Sequence, residues 1–152
     1  MEKFNSAMAA YMKSDSITKI VGNNYQEALT AVLSETKLVH DCVLCDPRGD
    51  LLDEPINIEW IIKIHGDLTG FEASVNEIVL NENSFSSAEI SEMAQFLLKG
   101  LRQKYPSRSF CIIISIDNQN AVIRFHTARE EETMWCDMNL ENYNEPVLVE
   151  IE

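Results

Sequence analysis

Few residues in this chain have the type and spacing to do chemistry. Cys42-Val43-Leu44-Cys45, with His40 two residues upstream, sets out two thiols that could grip one metal ion if the chain turned between them. Val43 and Leu44 favour extended backbone instead, which sends Cys42 and Cys45 to opposite sides, and Cys111 and Cys136 do not form a second close pair. We therefore expect four reduced thiols, with no disulfide, no metal and no cofactor. His65 with Asp67, and His126 between Arg124 and Arg129, have the residue types of acid–base catalysis. Neither comes with a nucleophile elbow, a phosphate-binding glycine loop or a His-Glu-x-x-His helix, and five glycines leave little material for a backbone cradle. Both histidines are expected to be outward-facing strand residues, and no catalytic residue is named. Arg48-Gly49-Asp50 matches an integrin-binding triplet, but with no export signal in view it reads as a turn.

The chemistry that the composition does support is non-covalent. There are 25 acidic residues against 12 basic ones, a formal net charge of −13 on 152 residues. Asp41 to Glu92 holds twelve acids against Arg48 and Lys63, and Glu130 to the end holds eight acids and no base. Met93 to Arg129 carries six bases and the single acid Asp117, so the sequence predicts a polarised field. Such a field favours docking onto a basic protein and opposes nucleic acid or an anionic membrane. In the last segment Glu130, Glu131, Glu132, Asp137, Glu141 and Glu145 interleave with Trp135 and Tyr143. Aromatic side chains can fill pockets on a partner while carboxylates pair with its Lys and Arg. These eight residues form the expected partner-binding set, with Asp46, Asp50, Asp53 and Glu54 as a secondary rim; the alternative is a solvated acidic loop whose aromatics fold back onto the core.

The elements that must position these groups read as one α+β domain over residues 1–152, an antiparallel sheet of about five strands with helices on one face. With 45% hydrophobic residues the chain can bury a core unaided. No stretch approaches the roughly 20 apolar residues of a membrane helix, so a cytoplasmic monomer is expected. Periodicity predicts short helices over Glu2–Lys13 and Tyr25–Thr36, then a strand over Leu38–Cys45 ending in the turn Asp46–Asp50. Strict alternation in Ile56–His65 predicts a strand with one buried face, and Phe71–Leu80 predicts another with a bulge near Asn76 and Glu77. Ser86 and Glu89 form a capping box for a helix that Pro106 stops. Phe110–Asp117 and Ala121–Thr127 read as a hairpin, the first strand buried on both faces, and Pro146–Ile151 as a terminal strand or extended tail.

The run Ala121-Val122-Ile123-Arg124-Phe125-His126, then Arg129, Trp135, Leu140-Glu141-Asn142-Tyr143 and Glu145-Pro146-Val147-Leu148, resembles the end of small acidic immunity proteins of bacterial polymorphic-toxin and contact-dependent inhibition systems. The resemblance covers about a third of the chain and carries no catalytic motif. It implies a non-enzymatic protein that binds and neutralises one cognate toxin, often a basic nuclease, with carboxylates standing in for phosphates in the toxin's cleft. The element order and low isoelectric point are also similar to acidic type III secretion chaperones, which are homodimers that bind an effector segment along their sheet. The chain departs from that pattern after residue 127, where Trp135 and Pro146 take the place of a long terminal helix. An enzyme of unknown chemistry is the third class.

Overall fold

Side-chain caps cut the first half of the chain into short pieces. Asn5, Asn24, Asn57 and Asp67 each accept a hydrogen bond from a backbone N–H in the first turn that follows, starting helices α1 (Ser6–Met12), α2 (Tyr25–Glu35), α3 (Ile58–His65) and α4 (Leu68–Val75). The computed structural model describes residues 1–14, 24–47, 49 and 57–152. Among these, α1 follows strand β1 (Glu2–Phe4), and α2 runs into a hairpin of β2 (Thr36–Val39) and β3 (Cys42–Cys45). After α4 come β4 (Glu77–Leu80), α5 (Ile90–Lys104), β5 (Phe110–Asp117), β6 (Asn120–Thr127) and β7 (Val147–Ile151).

The fold is α+β, as expected. Five strands form one antiparallel sheet in the order β1-β7-β5-β6-β4, and β2-β3 stands apart from it. Alternation in β5 sends Ile112, Ile114 and Ile116 to the face covered by Met93, Leu97 and Leu101 of α5, Leu29 and Val32 of α2 and Met8 of α1. Cys111 and Ile113 point the other way and are also buried, so β5 is closed on both faces. The capping box of Ser86 and Glu89 is formed, and α5 ends just before Pro106. Asn118 and Gln119 take positive φ values of 47° and 67°, as a tight hairpin turn requires.

Four expectations are corrected. Residues 2–4 are not helical but pair with β7 as an edge strand. Leu38–Cys45 is not one strand; it turns at His40, which has a φ of 52°, and pairs with itself. The strand expected over Ile56–His65 is not what its described residues form. Residues 58–65 are helix, capped by Asn57 and stopped by Gly66 at φ 84°. Apolar residues at every second position satisfy a strand template, yet on a helix they spread around the axis, and α3 buries none of its residues. Likewise the strand expected over Phe71–Leu80 forms only over Glu77–Leu80: residues 71–75 belong to helix α4, and the expected bulge near Asn76 and Glu77 is the junction between α4 and β4.

Because residues 68–75 are helical, Glu72 and Asn76 stack one turn apart and hold the hairpin to the sheet. Glu72 is fully buried and accepts from Val43 N–H (2.7 Å), Thr127 N–H (2.9 Å), the Thr127 hydroxyl (2.8 Å) and Arg129 Nη1 (2.8 Å). Asn76 accepts from Cys45 N–H (2.7 Å) and donates to the carbonyls of Val43 (2.8 Å) and Phe125 (3.1 Å). Every bond a buried carboxylate and amide need is thus made across three elements.

Candidate functional site

The face of the sheet away from α5 is only half covered. Residues 128–146 form a strap over Cys111, Ile113, Val147 and Val149, into which Cys136 and Leu140 are packed. Asn5, 1% exposed, ties this strap down. Its amide donates to the carbonyls of Leu140 (3.2 Å), Tyr143 (3.3 Å) and Glu145 (2.8 Å), and its Oδ1 accepts from Met8 N–H (2.9 Å) and Val147 N–H (3.0 Å). Beside the strap the other half of the face forms a groove of about 700 Å³, with Trp135, Tyr143 and Glu145 on the strap side and Val122, Arg124 and Glu77 on the sheet side.

Trp135 is 41% exposed. The Arg124 guanidinium lies 4.9 Å from the centre of its ring and is also ion-paired to Glu77, so the indole is held in place from one side only. A second hollow of about 360 Å³ lies on the other side of Trp135, shared with Ile64 and His65 of α3 and Thr133 of the strap. Trp60, Ile62 and Ile64 are 62%, 45% and 55% exposed. These α3 residues were missed by the sequence reading, which gave them a buried strand face. The cap at Asn57 and the glycine at 66 were the signals for a surface helix.

The acidic residues divide into free and engaged groups. Glu130 and Glu131 are exposed, as are Asp137, Glu141 and Glu145. Glu132 accepts from the N–H groups of Leu68 (3.3 Å) and Thr69 (2.8 Å), capping α4. Burial pushes its carboxyl up, but these bonds and Arg129 outweigh that and hold it below the usual value. Glu141 caps α1 through the N–H (2.8 Å) and hydroxyl (2.9 Å) of Ser6. Asp137 accepts from Asn139 N–H (2.8 Å) and the Asn142 amide (2.6 Å), and Tyr143 accepts Asp137 N–H at 2.8 Å. Asp46 is 6% exposed and ion-pairs with Lys37 at 3.6 Å, within the hairpin. Asp50, Asp53 and Glu54, with Arg48, lie outside the described residues.

The base-rich segment does not make a basic face. Arg102, Arg108, Arg124 and Arg129 ion-pair with Glu152, Asp41, Glu77 and Glu72, and Lys104 donates to the carbonyls of Leu33 and Thr36, both at 2.7 Å. Five of the six bases of this segment are thus engaged, and Lys99 is the exposed exception.

The histidine expectations are both corrected. His65 is on a helix, and His126, though on a strand, is fully buried beneath the strap. His126 Nδ1 is 2.9 Å from the Thr127 carbonyl, which can only accept, so the proton sits on Nδ1 and the buried Nε2 has no partner among the described residues. Burial lowers its pKa more than the Thr127 carbonyl and Glu72 raise it. As pH falls below about 6.5 the unfolded chain takes up a proton that the folded chain refuses, so stability declines with acidification. Urea titrations from pH 7.5 to about pH 5.5 should show this loss, and it should shrink in His126→Leu; an unchanged slope in the variant would remove His126 as its source.

All four cysteines are free thiols. Burial, with Glu72 nearby, pushes the Cys42 thiol up to about 12. The hydrogen bond with Cys136, then burial, raise the Cys111 thiol as well. Both are therefore protonated and unreactive at neutral pH. Among the described residues no three His, Cys, Asp or Glu side chains are placed to hold a metal ion, and no helix is long and apolar enough to cross a membrane.

No curated protein and no solved structure matches the chain. A family model described as the Uncharacterized protein PM0498 family matches residues 3–152, and the chain belongs to that family.

Proposed function

We propose that this chain is an immunity protein that binds and neutralises a basic bacterial toxin domain of the nuclease type in the cytoplasm. One observation carries this reading: Trp135 lines both the groove and the smaller hollow, presenting a large aromatic side chain between two concavities. Glu145 lines the groove with it, and Glu130 and Glu131 of the same strap are exposed, which supports an aromatic anchor accompanied by carboxylates. Those carboxylates would occupy a cleft built for phosphates, and opposite charge would speed the encounter.

A second reading, an acidic secretion chaperone, is favoured by the exposed Trp60, Ile62 and Ile64 of α3, an apolar surface of the kind that takes an effector segment. Pull-down of the tagged protein from its native cell, with the captured partner challenged by rising salt, separates the two. A basic toxin domain that is released as salt rises is the expected result, because steering between exposed charges is screened. A secreted effector retained through high salt would overturn it in favour of the chaperone.

A further inference from the structure

The uncovered half of the outer sheet face has a composition of its own. Val147, Ser115, Val122 and Val79 are directly paired on β7, β5, β6 and β4, so they form one row across the sheet on its outer side. Val147 is closed by the strap, Val122 is half-buried, and Val79 is 57% exposed. Val122 and Val79, at the open end of this row, leave β-branched side chains in contact with water on a sheet face, an unpartnered surface. Asp117 and Glu145 line the same groove, and among the described residues neither carboxylate has a hydrogen bond or ion pair. Glu77 is neutralised by Arg124, the one base lining the groove. The groove therefore carries an apolar floor and two uncompensated negative charges.

We infer that this groove is the docking surface for an extended basic segment of the partner, with apolar side chains on Val122 in the groove and on Val79 beside it in the row, and cationic side chains on Asp117 and Glu145. An extended chain turns alternate side chains to opposite sides, so one set meets the floor while the other meets the carboxylates. A second copy of this chain, at a net charge of −13, is opposed by its own repulsion. The inference rests on the reading that the protein acts by binding a basic partner, and it moves the primary contact from Glu130 and Glu131 to the groove between the sheet and the strap residue Glu145.

The test is a titration of the isotope-labelled full chain, followed by NMR, with a short synthetic peptide alternating Arg and Val and a matched peptide alternating Glu and Val. The Arg-Val peptide should shift the signals of Ser115, Val122 and the Trp135 indole N–H, and the Glu-Val peptide should not. Asp117→Asn should weaken binding by about fivefold and Val79→Ser by about threefold, whereas Glu27→Gln, an exposed acid on α2, should leave it unchanged. Equal weakening by Asp117→Asn and Glu27→Gln would overturn the groove and leave attraction by overall charge, with the basic-partner reading intact. Binding of the Glu-Val peptide would overturn both readings. No binding of either peptide would overturn the groove alone, the partner reading then standing or falling on the salt-challenged pull-down.

Discussion

Replacing Glu72 with alanine is expected to lower the free energy of unfolding by about 3–5 kcal/mol. The carboxylate is fully buried and is the common acceptor for Val43, Thr127 and Arg129. Its removal strands two backbone N–H groups and a hydroxyl away from water and leaves Arg129, whose charge is only partly answered by Asp41 at 3.6 Å, without its closest counter-ion. Because whole domains are stable by about 5–15 kcal/mol, this single change brings the protein close to unfolding. Urea denaturation of wild type, Glu72→Ala and Glu72→Gln is the check. Glutamine keeps the shape and one acceptor oxygen, so it should fall between the other two. A loss below about 1 kcal/mol in the alanine variant would mean that the hairpin and α4 are held by packing alone.

Replacing Trp135 with alanine is expected to weaken partner binding by about 2 kcal/mol or more, roughly thirtyfold in Kd, while leaving the fold intact. The indole is 41% exposed, and Arg124 keeps Glu77 and the Ala73 carbonyl (3.3 Å) after the ring is gone, so little of the native structure depends on it. Trp135→Phe retains an aromatic plug of smaller area and should recover part of the loss. Calorimetric titration against the captured partner gives the affinity, and thermal unfolding of each variant shows whether the scaffold is unchanged. An unaltered affinity with intact folding would take Trp135 out of the interface and move the search to α3.

The two predictions separate residues that hold the molecule together from residues that face a partner, and that division was only partly legible in the chain. Local signals were reliable where their partners are also local: Ser86 with Glu89, the face Ile90-Met93-Ala94-Leu97-Leu101, and the β-branched run Phe110–Asp117 buried on both faces all describe what formed. They misled in Ile56–His65, where period-two alternation met both a cap at Asn57 and a stop at Gly66. Alternation reports a strand only if a neighbouring strand and a core are there to receive it, and residues 58–65 have neither. The same limit hid the roles of the acids. Glu132 and Glu141 look like Glu130 and Glu131 in the sequence, yet the first two cap helices at Thr69 and Ser6, far away along the chain.

What the amino-acid sequence determined by itself was the excess of carboxylates, the long helix and the C-terminal hairpin, since each depends on composition or on neighbours within a few residues. What the tertiary structure alone decided was which carboxylates are free to meet a partner, which arginines are already neutralised, and that His126 is buried while Trp60, Ile62 and Ile64 of α3 are not. Burial and pairing are set by contacts between distant segments, such as Asn5 with Glu145 and Glu72 with Val43 and Thr127, and no periodicity within one segment encodes them.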